Sequence, residues 1–200
     1  MKTGSYTGVI KNAVLNVKKL DGKVIFEGVF EGDIEAIVKD YFDLNRDYEK
    51  IKEKLSKIDD NLKQSTQYGK GIRILKQDLW ETIISFIISA NNNIPRIKGI
   101  LERISKRYGQ KIEYKGKDYY TFPEIQELEK ASVEDLRELG LGFRDKRVHD
   151  TTKMFVTQEI TLKELKNEQN TEILRDKLMT LPGVGRKSCR LYNVIFTCKI

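Results

Sequence analysis

Lys187 stands two residues past the string Leu181-Pro182-Gly183-Val184-Gly185. A neutral lysine Nζ is an amine nucleophile and forms Schiff bases with carbonyl carbons, among them the C1′ of an opened sugar. It is neutral only where burial or a nearby cation depresses its pKa. Otherwise it is a surface charge for phosphate, and the string alone favours that plainer use. The residues before it have a chemistry of their own. Gly183 and Gly185 are expected to take positive φ and close a tight turn. They leave bare N–H groups at the N-terminus of a following helix, where an anion is favoured. Carbonyls of Met179, Leu181 and Val184 are candidate ligands for a monovalent cation bridging to that anion. An ordinary connection between two helices would use similar residues.

The charge narrows the choice of anion. The 200 residues carry 37 Lys and Arg against 30 Asp and Glu, a net charge of +7 with a pI near 9.2. A basic chain favours a polyanionic partner, nucleic acid first, so the turn reads as a helix-hairpin-helix docking on DNA phosphates, a contact without sequence information. Two cysteines, Cys189 and Cys198, supply neither a disulfide framework nor a zinc or iron–sulfur ligand set. No cofactor is expected, and a reducing cytoplasm is. No signal peptide and no apolar run of membrane length is present, so no membrane partner is expected. His149, the one histidine, leaves no Ser–His or Cys–His pairing and reads as a helix surface residue.

Two further strings bear on the question: Phe86-Ile-Ile-Ser-Ala-Asn91-Asn-Asn-Ile-Pro-Arg96-Ile97, and Leu139-Gly-Leu-Gly-Phe143-Arg144-Asp-Lys-Arg-Val148. Alone, the first is a polar turn capping a helix and the second a loop with a solvated arginine. With LPGVGRK, in this order and spacing, they resemble the 8-oxoguanine DNA glycosylase family over roughly residues 5–187. The resemblance implies a base flipped out of the duplex into a pocket. It implies that Asn91 fills the vacated space and reads the orphaned cytosine. Arg96 and Arg144 would read the same cytosine, Phe143 would wedge beside it, and Lys187 would be the catalytic amine. Arginine donors suit the O2 and N3 acceptors of cytosine, and asparagine both donates and accepts. The implied partner is duplex DNA with 8-oxoguanine opposite cytosine. The implied activity is base removal followed by strand cleavage through the Schiff base, by a monomer in the cytoplasm, on the nucleoid in a bacterium or in the nucleus of a eukaryote.

The family's upstream GQ-x-FRW and downstream P-V-D are not found. After its lysine the family carries V-A-D-C. Permitted codons for Ser188–Cys198, read one base later, spell V-A-D-C-I-M-L-Y-L-H. Residues 188–200 are therefore expected to be an out-of-frame tail. A non-catalytic DNA-binding remnant and a different helix-hairpin-helix glycosylase stay open beside the family enzyme.

The elements that must position these residues are legible in outline. Alternation over residues 5–20 and 23–30, with Asp21-Gly22 between, predicts strands and a hairpin. Asp33 caps a predicted helix, and DYEKIKEKLSKI continues with apolar spacing of three and four. Residues 78–90 predict the central apolar helix, with Trp80 in the core. Asn91 to Asn93 interrupt it, and Pro95 opens a helix to about Tyr108. A small hairpin turns at Lys115-Gly116. Ser132 and Asp135 make a capping box. Gly140 and Gly142 break the chain before a helix over 143–156, and a last helix, TEILRDKLMT, runs into LPGVG. The predicted fold class is α+β: a short antiparallel sheet over 1–31, a mostly helical helix-hairpin-helix body over 32–187, then the tail.

Overall fold

The structure, a computed structural model, describes residues 4–185. β1 (Ser5–Ile10), β2 (Ala13–Leu20) and β3 (Lys23–Val29) form an antiparallel sheet in that order. Asp21 and Gly22 turn between β2 and β3 with φ of 49° and 76°, as a tight hairpin turn requires. The alternating run over 5–20 is two strands, because the chain reverses at Lys11, whose φ is 52°. Ala13, Val14 and Leu15 are buried consecutively, so the start of β2 is covered on both faces.

Contacts divide the chain into two compact units: residues 32–77 form one, and the sheet joins residues 78 onward in the other. The first unit holds α1 (Ile34–Tyr41), α2 (Tyr48–Ser56) and α3 (Asp60–Tyr68). Asp33, Asp47 and Asp59 cap them, each accepting a backbone N–H from the first turn. Buried Asp43 draws in Arg46 Nε at 2.7 Å, Lys76 Nζ at 3.2 Å and the Tyr48 hydroxyl at 3.1 Å. The same hydroxyl accepts the Ile74 N–H, which ties the segment after α3 to α2.

The larger unit continues with α4 (Leu79–Ser89), α5 (Ile94–Tyr108), β4 (Lys111–Tyr114), β5 (Lys117–Tyr120), α6 (Ile125–Leu128), α7 (Val133–Glu138), α8 (Asp145–Val156), α9 (Leu162–Asn167) and α10 (Thr171–Met179). Helix α4 is its axis. Ile83, Ile84, Ile87 and Ile88 are all wholly buried, so apolar neighbours surround the helix. They share a core with Ile100 and Ile104 of α5, Leu136 of α7, Val148 of α8 and Leu178 of α10. Each buried isoleucine contributes about 1.5–3 kcal/mol. Trp80 is buried as expected, donating Nε1–H to the Pro123 carbonyl at 3.0 Å and meeting the Phe155 ring edge-on. The sheet packs with this body: Lys115, at the β4–β5 turn, and Lys18 of β2 both hold Glu27 of β3. Those two lysines, Lys18 foremost, keep the Glu27 carboxyl below its ordinary pKa. No helix among the described residues is long and apolar enough to cross a membrane.

Candidate nucleic-acid interface

Helix α4 stops because Asn91 turns the backbone to φ 48°. The Asn92 side chain donates to the Ile88 carbonyl at the helix end, and Asn93 caps α5 by accepting the Arg96 N–H. The expected polar interruption is therefore a C-terminal stop and an N-terminal cap back to back. Asn91 and Arg96 are both exposed. Arg96 leans from the first turn of α5 to the Gly140 carbonyl, Nη2 to O 3.3 Å.

That contact brings in the second string. Gly140 and Gly142 take φ of 89° and 58°, which bends the chain between α7 and a single 3₁₀ turn over Gly142–Arg144 that leads into α8. Leu141 is wholly buried and plugs the bend into the core. Three successive carbonyls each meet a different arginine. Arg103 Nε donates to Leu139 at 2.8 Å, Arg96 to Gly140, and Arg144 Nη1 to Leu141 at 3.2 Å.

Arg144 is not a solvated arginine. It is 2% exposed, and its guanidinium turns inward over the stop of α4. Nε donates to the Ala90 carbonyl at 2.9 Å, and Nη2 donates to Ala90 and, at 2.8 Å, to Asn91. With the Leu141 bond, four of the five N–H groups of an arginine are engaged. Burial lowers its pKa, and the charges of Arg96 and Arg147 add to the effect. Phe143 points the other way, 57% exposed, with the guanidiniums of Arg144 and Arg147 at 4.2 and 5.3 Å from its ring centre. The structure thus gathers Asn91, Arg96, Phe143 and Arg144 at one end of α4.

The turn after α10 lies beside them. Leu181 and Val184 are buried, and the Val184 N–H closes the turn on the Leu181 carbonyl at 3.1 Å. Leu181, one of three carbonyls considered for a cation, therefore already accepts a hydrogen bond. Gly183 has φ 87°, and a Cβ there would come 2.7 Å from Arg147 Cδ and 3.3 Å from Ile87 Cγ2. Gly185 departs from expectation: its φ is not positive, and a Cβ would meet nothing within 4 Å among the described residues. One left-handed residue suffices for the reversal. Lys187, the two cysteines and the 188–200 tail lie outside the described residues. Among the described residues, no group of three or more His, Cys, Asp or Glu could hold a metal ion.

Sequence reasoning passed over Arg147 and Arg103. Arg147 follows Phe143 by four residues, a helical spacing that carries the signal. Nothing in the sequence announces Arg103, because its acceptor is a backbone carbonyl 36 residues away.

Comparison with known proteins gives this arrangement a context. Residues 1–83 match the family model "8-oxoguanine DNA glycosylase, N-terminal domain". Residues 84–197 match "HhH-GPD superfamily base excision DNA repair protein". An 8-oxoguanine glycosylase/lyase from Clostridium acetobutylicum, solved in its apo form, superposes with a TM-score of 0.92 at 38% identity, covering 100% of this chain and 69% of that one. The chain belongs to the 8-oxoguanine DNA glycosylase family. The Clostridium 8-oxoguanine glycosylase/lyase has also been solved with double-stranded DNA containing cytosine opposite 8-oxoG. That structure matches with a TM-score of 0.90 at 38% identity, over 100% of this chain and 68% of that one. A curated relative is the N-glycosylase/DNA lyase of Saccharomyces cerevisiae, 39% identical over 129 residues. That alignment covers 59% of this chain and 34% of the yeast protein. The chain spans between a third and about half of the curated relatives it matches.

Proposed function

We propose that this chain acts on duplex DNA as a base-excision glycosylase and lyase, removing 8-oxoguanine opposite cytosine. The convergence of Asn91, Arg96, Phe143 and Arg144 carries the reading. Two strings some fifty residues apart meet to present the Asn91 amide, the exposed Phe143 ring and the Arg96 guanidinium, with the Arg144 guanidinium buried beneath them. Such a set suits a vacated space in a base stack and the acceptor edge of an unpaired cytosine. The hairpin beside them would hold a phosphate on its amides. With a DNA substrate, the reading extends to a monomer acting on the chromosome, in the cytoplasm or the nucleus.

Lys187 is the proposed nucleophile, on its place two residues past Gly185. Its neutral Nζ would attack C1′; the C1′–N9 bond breaks, and the base departs with the electron pair. The ammonium so formed loses one proton, the C1′–O4′ bond breaks with O4′ taking up a proton, and a protonated Schiff base is left; removal of a C2′ proton then expels the 3′ phosphate. Borohydride reduction of a mixture with abasic duplex tests the step. A covalent adduct that disappears in Lys187→Gln is expected. An adduct that persists in the variant assigns the chemistry to another amine. Release of 8-oxoguanine opposite cytosine, measured beside it, separates the enzyme from a DNA-binding protein that only meets abasic aldehydes.

A further inference from the structure

Arg147 lies between the two features expected to touch DNA. Its stem crosses Gly183 of the hairpin turn, where a Cβ would come 2.7 Å from its Cδ and 3.5 Å from its Cβ. Its guanidinium lies over the ring of Phe143, 5.3 Å from the centre. The residue is half-buried, yet among the described residues its head group has neither a hydrogen-bond acceptor nor a carboxylate partner. The nearby acids are committed elsewhere: Asp145 to Arg137 at 2.7 Å, and Asp150 to His149. Its charged neighbour is Arg144, whose pKa is lowered by burial first, with the charge of Arg147 adding to the effect. Among the described residues its five donors find no acceptor, and the like charge of Arg144 lies beside them. That arrangement costs free energy in the free protein, and an anion placed there recovers it.

We propose that Arg147 is a DNA-backbone ligand: its guanidinium takes a phosphate oxygen while its stem locks the Phe143 wedge to the hairpin. The assignment rests on the DNA reading above and adds a residue to it. A phosphate is the fitting acceptor because the site lies beside a turn suited to phosphate docking, and because a planar fork over an aromatic ring leaves its N–H edge outward. A contact of this kind carries no base preference and reports itself in the salt dependence of binding. Each phosphate neutralised on duplex DNA contributes about 0.9 to the slope of log affinity against log salt.

The probes are two duplexes, one undamaged and one with a stable abasic analogue opposite cytosine, titrated between 50 and 200 mM salt with the full chain, Arg147→Met and Arg147→Lys. Methionine keeps the stem over Gly183 and removes the charge; lysine keeps the charge and loses the planar fork. The expected result is a slope shallower by about 0.9 for Arg147→Met on both duplexes, so that its affinity deficit shrinks about 3.5-fold across that range. Arg147→Lys keeps the slope of the parent. A slope unchanged in Arg147→Met overturns the assignment, whatever happens to affinity, because Arg147 would then act by packing alone. Failure of the unaltered chain to bind either duplex overturns the DNA reading itself, and the assignment with it. Melting temperatures of both variants show whether the fold is kept.

Discussion

Arg144 Nη2 donates to the backbone carbonyl of Asn91 at 2.8 Å, across 53 residues of chain. These are two of the residues proposed to meet the same cytosine, and in the free protein they are bonded to each other. The bond is to the Asn91 backbone, so the asparagine side chain stays exposed while the guanidinium is spent. An arginine in this state serves the turn first. Whatever it offers a base comes from its one uncommitted N–H or from surrendering a carbonyl.

Arg144→Ala should therefore lower stability as well as DNA binding. The Ala90, Asn91 and Leu141 carbonyls lose their donor, and a buried acceptor left unpaired costs about 1–3 kcal/mol. A loss of about 2–4 kcal/mol is expected in chemical denaturation. Arg96→Ala, exposed and with one 3.3 Å bond, should cost less than about 1 kcal/mol. Its effect should fall on the opposing base, flattening a preference for cytosine worth roughly 1–3 kcal/mol. Equal stability losses in the two variants would show that the Arg144 contacts do not hold the turn. A uniform loss of affinity across opposing bases would make Arg96 a phosphate contact.

The two hairpin glycines should separate. Gly183→Ala places a side chain at φ 87° and against the Arg147 stem; the backbone conformation alone costs about 1–2 kcal/mol. Gly185→Ala meets no described residue and should leave stability within about 0.5 kcal/mol, yet weaken DNA binding if a phosphate approaches there. Paired melts and mobility-shift titrations read both. A Gly185→Ala protein that binds DNA like its parent removes Gly185 from the interface.

Much of this was written in side chains that act on their own neighbours. Asp33, Ser132 with Asp135, and Asn93 with Pro95 mark helix starts because a cap is satisfied within one turn. α3 escaped, since DNLKQSTQY has no apolar stripe and depends on the helix beside it. The reversal at Lys11 escaped because a lysine at positive φ has no local signature. The burial of Arg144 escaped for a deeper reason. Its acceptors are carbonyls freed at Ala90, Asn91 and Leu141, and only the assembled core brings those breaks together. The same holds for Arg147, whose meaning depends on a glycine 36 residues on. Family likeness named the readers, but their resting state is a property of the fold.

Glu81 gives a pH test. It lies in the first turn of α4, where burial and, after it, the charge of Asp78 push its carboxyl above the ordinary value of 4.5. The folded chain then holds this proton more tightly than the unfolded chain. The contribution to stability is full below the ordinary value and is lost as pH rises through the raised one. Glu81→Gln should flatten stability against pH from about 4.5 upward and melt higher than its parent at neutral pH. Parallel pH profiles for the two proteins would show that Glu81 ionises without strain.

The three successive carbonyls pinned by Arg103, Arg96 and Arg144 have a bearing on discrimination. Two of the three tethers are the expected readers, so reading a base means exchanging partners one at a time, with the third tether still closed. A base that takes more than the one uncommitted Arg144 N–H would have to displace these internal bonds. An unpaired base that returns an equal number of bonds in the same plane passes; a stray nucleotide or a paired base does not. For the two arginines proposed to read a base, this self-association would set a threshold that a base must repay.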